Sequence, residues 1–226
     1  MADLHLCGSA PSKTMEVFDG WENYINRIHD NWKKIIKPED TVVIPGDISW
    51  AMKLKDVYED FKFINELPGE KVIIKGNHDY WWNSRKKMDE YVRDNGFSTI
   101  HFVFNDCYPC ENGYAVCGTR GWTNMPGEQS DDLLQKREAQ RLDVSLKAAE
   151  EKSLIPLVFL HYPPVYSGAV NENIFEILEK HNIKKCWYGH IHGRNAHRTA
   201  VQGEFRGIDF KLVAGDYLQF YPYRIL

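Results

Sequence analysis

The sequence predicts an α/β fold, and three observations carry the prediction. Apolar runs of strand length alternate with stretches of helical periodicity, Gly- and Pro-containing turns separate them, and His, Asp and Asn recur just past the apolar runs. The chain has 226 residues, a length at which α/β folds commonly stay single, so residues 1–226 are read as one domain.

The elements follow in order. Trp21, Ile25, Ile28, Trp32 and Ile35 recur at helical spacing, and Pro38 stops that run before the apolar strand Thr41 to Pro45, which delivers Asp47. Leu54, Val57, Phe61 and Ile64 share one helical face, and Lys71 to Lys75 then reads as a buried strand ending at Asn77 and His78. A polar helix is expected from about Ser84 to Asn95, followed by strands over Thr99 to Phe104 and Tyr114 to Gly118. The second of these strands leads into Thr119-Arg120-Gly121-Trp122, a loop expected to face the site. A long helix from Asp131 to about Glu151 precedes the strand Leu157 to Leu160, which ends at His161. Glu172 to His181 is again helical, and Lys184 to Tyr188 is the strand before Gly189-His190. Extended runs after Ala196, broken by Gly203, Gly207 and Gly215, suggest a closing antiparallel sheet.

Bulk properties narrow the function. A formal charge of −4 with both signs interspersed gives no broad basic surface for nucleic acid, which disfavours a nuclease. No stretch reaches the roughly 18 apolar residues of a membrane span, and no basic-then-apolar leader opens the chain, so a soluble cytoplasmic protein is expected. The five cysteines are scattered, and Cys107-x-x-Cys110 lacks the second pair that a closed four-thiolate zinc site requires. Reduced, structural thiols are expected.

Five short clusters carry the chemistry: Asp3-Leu4-His5, Gly46-Asp47, Gly76-Asn77-His78-Asp79, His161 and Gly189-His190-Ile191-His192. Oxygen donors mixed with imidazole nitrogens suit Mn²⁺, Fe or Zn²⁺ better than Ca²⁺ or a thiolate cage. Their number suffices for two divalent or trivalent ions. A phosphate ester repels hydroxide, and two cations about 3.5–4 Å apart neutralise that charge and acidify a water, with a carboxylate, here Asp47, as the natural bridge. Arg120 and Arg194 are candidates to grip a phosphate as bidentate forks, whereas Arg85-Lys86-Lys87 reads as an exposed helix face. Trp50, Tyr80, Trp81, Trp82, Trp122 and Tyr162 stand near the clusters, either as core or as a platform for an aryl group or base. His29, His101 and His181 lie in no cluster, while His197 follows the last one closely enough to stand behind a ligand.

In this order the clusters resemble the calcineurin-like metallophosphoesterase superfamily, whose pattern is Asp-x-His, Gly-Asp, Gly-Asn-His-(Asp/Glu), a later His and Gly-His-x-His. The resemblance spans Asp3 to His192. It implies a two-sheet β-sandwich flanked by helices, the four-layer α/β/β/α arrangement. It also implies that Asp3, His5, Asp47 and His192 hold one ion and that Asp47, Asn77, His161 and His190 hold the other. Hydroxide between the ions would attack in line, His78 would protonate the leaving oxygen, and Asp79 beside it is a second catalytic candidate. Two departures matter. Only Met1 and Ala2 precede Asp3, so the first strand is expected to be cut short. Gly46-Asp47-Ile48-Ser49-Trp50-Ala51-Met52 lacks the second Asp and the Arg of the protein-phosphatase branch, which weighs against a strict serine/threonine protein phosphatase. A small phosphorylated substrate is the expectation, with phosphomono- or phosphodiester preference, the metals and oligomeric state left open. A metal-bound scaffold that binds a phosphorylated ligand without turnover is the non-enzymatic alternative.

Overall fold

The computed structural model describes residues 1–122 and 131–226. One sheet is wholly parallel and ordered β1 (Thr41–Pro45), β2 (Glu70–Ile74), β3 (Ile100–Phe102). The second begins with β4 (Tyr108–Pro109), β5 (Tyr114–Thr119) and β6 (Ile155–Leu160), after which a small hairpin, β7 (Val165–Tyr166) and β8 (Ala169–Val170), stands apart. It continues with β9 (Lys185–Tyr188), β10 (Gly203–Phe205) and β11 (Ile208–Leu212), in the order β10-β11-β9-β6-β5-β4. Its four inner strands are parallel, and only the edge strands β4 and β10 run against them.

The near-continuous apolar runs exist because both faces of each sheet are covered. Side chains alternate along a strand. In β1, Val42 and Ile44 therefore pack with Trp32, Phe61 and Met88, while Val43 turns toward the other sheet. In β6, Phe159 stacks on Trp187 between the sheets, centroids 5.1 Å apart, and Val158 and Leu160 pack with Leu142, Leu146 and Phe175. The helices α1 (Tyr24–Ile35), α2 (Tyr58–Glu66) and α3 (Arg85–Asp94) form one outer layer, and α4 (Asp132–Glu150) and α5 (Glu172–Lys180) form the other. The result is the expected four-layer α/β/β/α sandwich. A short helix, α6 (Arg194–His197), follows the last ligand cluster.

Three expectations change in detail. Trp21 lies outside α1, because Asn23 takes a left-handed turn (φ 52°) and starts the helix at Tyr24. The tail is not a separate antiparallel sheet: β11 joins β9 in parallel, and only the β10–β11 hairpin is antiparallel. The segment before Asp3 forms no full strand, yet it is stitched into both sheets. Ala2 bridges Ala214 in parallel fashion and donates to the Val213 carbonyl at 2.7 Å, while the amides of Asp3, His5 and Leu6 donate to Gly46, Asp47 and Ile48. The amino-terminal residues thus lie between the carboxyl ends of β1 and β11.

Candidate metal centre

Every cluster sits past the carboxyl end of a strand or against one, where open parallel sheets present their sites. Gly46-Asp47 follows β1, Asn77 and His78 follow β2, His161 follows β6, and His190 and His192 follow β9. The strand tips approach closely because two turns lack side chains. A Cβ on Gly46 (φ 93°) would meet His161 Nδ1 at 2.5 Å, and one on Gly76 would collide with the Asp47 carboxylate and amide.

Two sets of ligating atoms result: Asp3, His5 and His192 in one, and Asp47, His161 and His190 in the other, each set within 4.8 Å. In the first, His5 Nε2 faces His192 Nε2 at 3.3 Å, and His192 Nε2 lies 3.4 Å from Asp3 Oδ1. In the second, Asn77 Oδ1 stands 2.5 Å from His161 Nε2 and 2.9 Å from His190 Nδ1. Asp47 Oδ2 joins the sets, 3.4 Å from His161 Nε2 and 3.7 Å from His5 Nε2. The His190 amide donates to both oxygens of Asp3, at 2.9 and 3.2 Å, and so ties the sets together again. The seven sequence-predicted ligands are therefore side by side.

Left-handed backbone recurs at the ligand residues. Asp3 (φ 60°), His5 (φ 43°), Asp47 (φ 53°) and His190 (φ 73°) all take the left-handed conformation that side chains disfavour. Each such residue costs about 1–3 kcal/mol and persists only where the surroundings fix it.

The electrostatics ask for cations. Burial raises the Asp47 carboxyl well above its usual range, and the nearby Asp79 and Asp3 carboxylates add to the effect. Burial likewise drives His161 and His190 down to about 3, so both rings are neutral and available as ligands at neutral pH. Burial also depresses His5, reinforced by His192. His192 differs: burial works against its charge, but Asp3 and Asp216 outweigh it and hold the ring up at about 10. Converging, buried imidazole nitrogens and carboxylate oxygens fit a pair of borderline metal ions.

His78 lies against Trp50 and His5, at centroid separations of 4.6 and 5.6 Å, and its amide donates to Asp47 Oδ1 at 2.8 Å. Its Nδ1 is buried without a hydrogen-bond partner among the described residues. Asp79 does not orient it. Both Asp79 oxygens turn the other way, accepting from the amides of Asp47, Ile48 and Gly76 and from Trp81 Nε1 at 2.7–3.0 Å. That buried carboxylate braces the β1 and β2 turns instead of reaching toward the cluster.

The two candidate phosphate arginines both have carboxylate neighbours, and the charge of Arg120 reaches His161. Arg120 stacks over Trp122 and approaches Glu138, a buried carboxylate that Arg141 and Thr119 also engage. Arg194 is 84% exposed and lies 3.7 Å from Asp19. Arg85 pairs with Asp89 and Asp106. Of the aromatic group, Trp81 is core, whereas Trp50 stacks on His5 at 4.9 Å and Tyr162 lies 4.2 Å from His190. All five cysteines are free, and burial pushes Cys117 up to about 12. Sequence reasoning missed Asp216, which hydrogen-bonds His192. The signal was present: Gly215-Asp216 follows the apolar run Leu212 to Ala214 just as Gly46-Asp47 follows β1.

A four-layer sandwich with His, Asp and Asn converging at its strand tips is the setting of a candidate metal site. The chain belongs to the calcineurin-like phosphoesterase family, whose model matches residues 1–194, and it is accordingly a hydrolase of phosphoester bonds. Among solved structures it is similar to AQ665 of Aquifex aeolicus, a protein of unknown function, at 19% identity over 98% of this chain and 91% of that one (TM-score 0.55). It is also similar to TT1561 of Thermus thermophilus, at 15% identity over 86% and 81% (TM-score 0.52). A phosphopantetheinyl hydrolase, PptH, of Mycobacterium tuberculosis matches at 13% identity over 99% and 92% (TM-score 0.50). At these identities the likeness is one of fold. No curated protein matches the chain. Among the described residues no helix is long and apolar enough to cross a membrane.

Proposed function

We propose that this protein hydrolyses small phosphomono- or phosphodiesters at a centre of two metal ions (Mn²⁺, Fe or Zn²⁺), with His78 as the general acid. One observation carries the reading: two sets of ligating atoms, each within 4.8 Å, share the Asp47 carboxylate between them. Asp3, His5, Asp47 and His192 would hold one ion, and Asp47, Asn77, His161 and His190 the other. When bound, such a pair neutralises the phosphoryl oxygens and supplies a water acidified toward neutrality.

The chain's own residues do the rest. Asp47 fixes the spacing of the two ligand sets, and through its bond to the His78 amide it fixes the backbone of the proposed acid as well. Burial lowers the His78 pKa, with His192 adding to the effect, whereas a phosphoryl group beside the ring favours its protonated form. His78 is thereby charged chiefly when substrate is present, and its proton passes to the leaving oxygen. Trp50 holds the ring in place by packing, in the absence of an orienting carboxylate among the described residues. The mixed-sign charge of −4 favours a small ester over a polyanion.

The test is hydrolysis by protein stripped with chelator and resupplied with Mn²⁺, on an aryl phosphate monoester and the matching diester. Metal-dependent turnover of either supports the reading, and the preferred ester directs the substrate search. Turnover that ignores the chelator, or that survives His78→Ala unchanged with metal bound, contradicts it.

A further inference from the structure

His192 is the one ligand of its set whose ring is partly open to solvent, at 25% exposure, so its orientation needs support. Support comes from the tail. Asp216 Oδ1 accepts from His192 Nδ1 at 3.0 Å, which fixes the ring and turns Nε2 toward His5 Nε2 and Asp3 Oδ1. The carboxylate is itself fixed: Oδ1 also accepts from the Tyr217 amide at 2.9 Å, and Oδ2 accepts from the Gly193 amide at 2.8 Å and lies 3.3 Å from His197 Nε2. Its side chain is only 5% exposed.

The polypeptide around Asp216 is anchored at both ends. Ala214 bridges Ala2, one residue from the ligand Asp3, and the Phe220 amide donates to the Gly215 carbonyl at 2.7 Å. Phe220 is fully buried and packs on Trp21, which in turn lies 5.4 Å from the His192 ring. Asp216 and His197 both fall outside residues 1–194, the span of the family pattern.

We infer that Asp216, backed by His197, is a positioning residue for metal binding, which makes the tail beyond residue 194 a working part of the ion site formed by Asp3, His5 and His192. The inference rests on the two-ion reading above. The His161 ring is held differently: its Nδ1 is 3.0 Å from the Pro45 carbonyl, at the end of β1 and not in the tail. Loss of Asp216 therefore acts on one ion site and spares the other.

The test is calorimetric titration of Mn²⁺ into chelator-stripped wild type, Asp216→Asn, Asp216→Ala and His192→Ala, with the thermal midpoint of each metal-free protein measured in parallel. Asp216→Asn keeps the size of the side chain, so it carries the test if the alanine variant does not fold. The expected result is two sites in wild type and, in Asp216→Asn, one of them weakened about 10–100-fold, the magnitude typical of an outer-sphere partner. The weakened site is the one removed by His192→Ala. If His192→Ala loses a site while Asp216→Asn binds both ions as wild type does, the inference is overturned and the two-ion reading stands. If His192→Ala also leaves both sites unchanged, the two-ion reading falls and the inference with it.

Discussion

The two ligand sets are built in opposite ways. Asp47, His161 and His190 lie just past the tips of three regular parallel strands, and the Pro45 carbonyl at the end of β1 holds His161. Asp3, His5 and His192 are instead assembled from an amino-terminal segment with no full strand, a loop after β9, and a tail carboxylate. The first set inherits its geometry from the sheets. The second is held by long-range hydrogen bonds and by the packing of Trp21 on His5 and His192, while left-handed backbone is common to both sets, at Asp3 and His5 in one and at Asp47 and His190 in the other. The same chemistry can thus rest on strand tips or on segments remote from one another in the chain.

The most damaging way to break this comparison is to remove what the sets share. Asp47→Asn should abolish binding of both ions and lower turnover by more than any other single substitution at the site. Metal analysis of the purified variant beside wild type checks this, and retention of two ions would deny the bridging role. His190→Ala and His192→Ala should next separate the sets, each losing one ion. The thermal midpoint of metal-free His190→Ala is expected to stay nearer wild type, because the strand tip survives without the ring.

His78→Ala leaves both sets intact and should lower kcat about 10²–10⁴-fold with metal content unchanged. A variant with equal loss of metal would place His78 among the ligands.

The smallest expected effect lies away from the centre, where Asp143 on α4 joins Lys147, and Lys180 and His181 at the end of α5. Hydrogen bonds from His181, Lys147 and Lys180 hold this carboxyl well below its usual range. A depressed folded-state pKa gives stability that is present above the unfolded value of about 3.9 and is lost as pH falls through the folded value. Both lysines are about half exposed, so Asp143→Asn should cost about 1 kcal/mol at pH 7. In denaturant titrations that difference should shrink below about pH 4, with metal binding at neutral pH unaltered.

What the sequence revealed divides along the same line. The strand-tip ligands were legible because an apolar run followed by Gly-Asp, Gly-Asn-His or Gly-His is a local signal, and glycine at Gly46 and Gly76 is demanded by the close approach of the tips. The layering was legible for a related reason, since uninterrupted runs such as Thr41 to Pro45 require cover on both faces. The seating of Met1 to Leu6 was not legible, because its partners, Gly46 to Ile48 and Val213, are remote in the chain. Asp79 looked catalytic by adjacency to His78, whereas side chains that follow one another in a turn diverge, and its oxygens meet four N–H donors instead. The Glu138 carboxylate that α4 places beside Arg120 could not be read from the sequence, because the two residues are remote in the chain. Asp216 repeats the Gly-Asp signal of the second cluster, but only the parallel pairing of β11 with β9 brings it to His192.

A pair of ions held by two ligand sets around Asp47 is the proposal on which the rest depends. Its most direct measurement is turnover against metal equivalents: stepwise addition of Mn²⁺ to chelator-stripped protein, with bound metal counted at each step. Two ions per chain are expected at saturation, with activity that follows filling of the second site. Full activity with a single bound ion, or saturation at one, would contradict it.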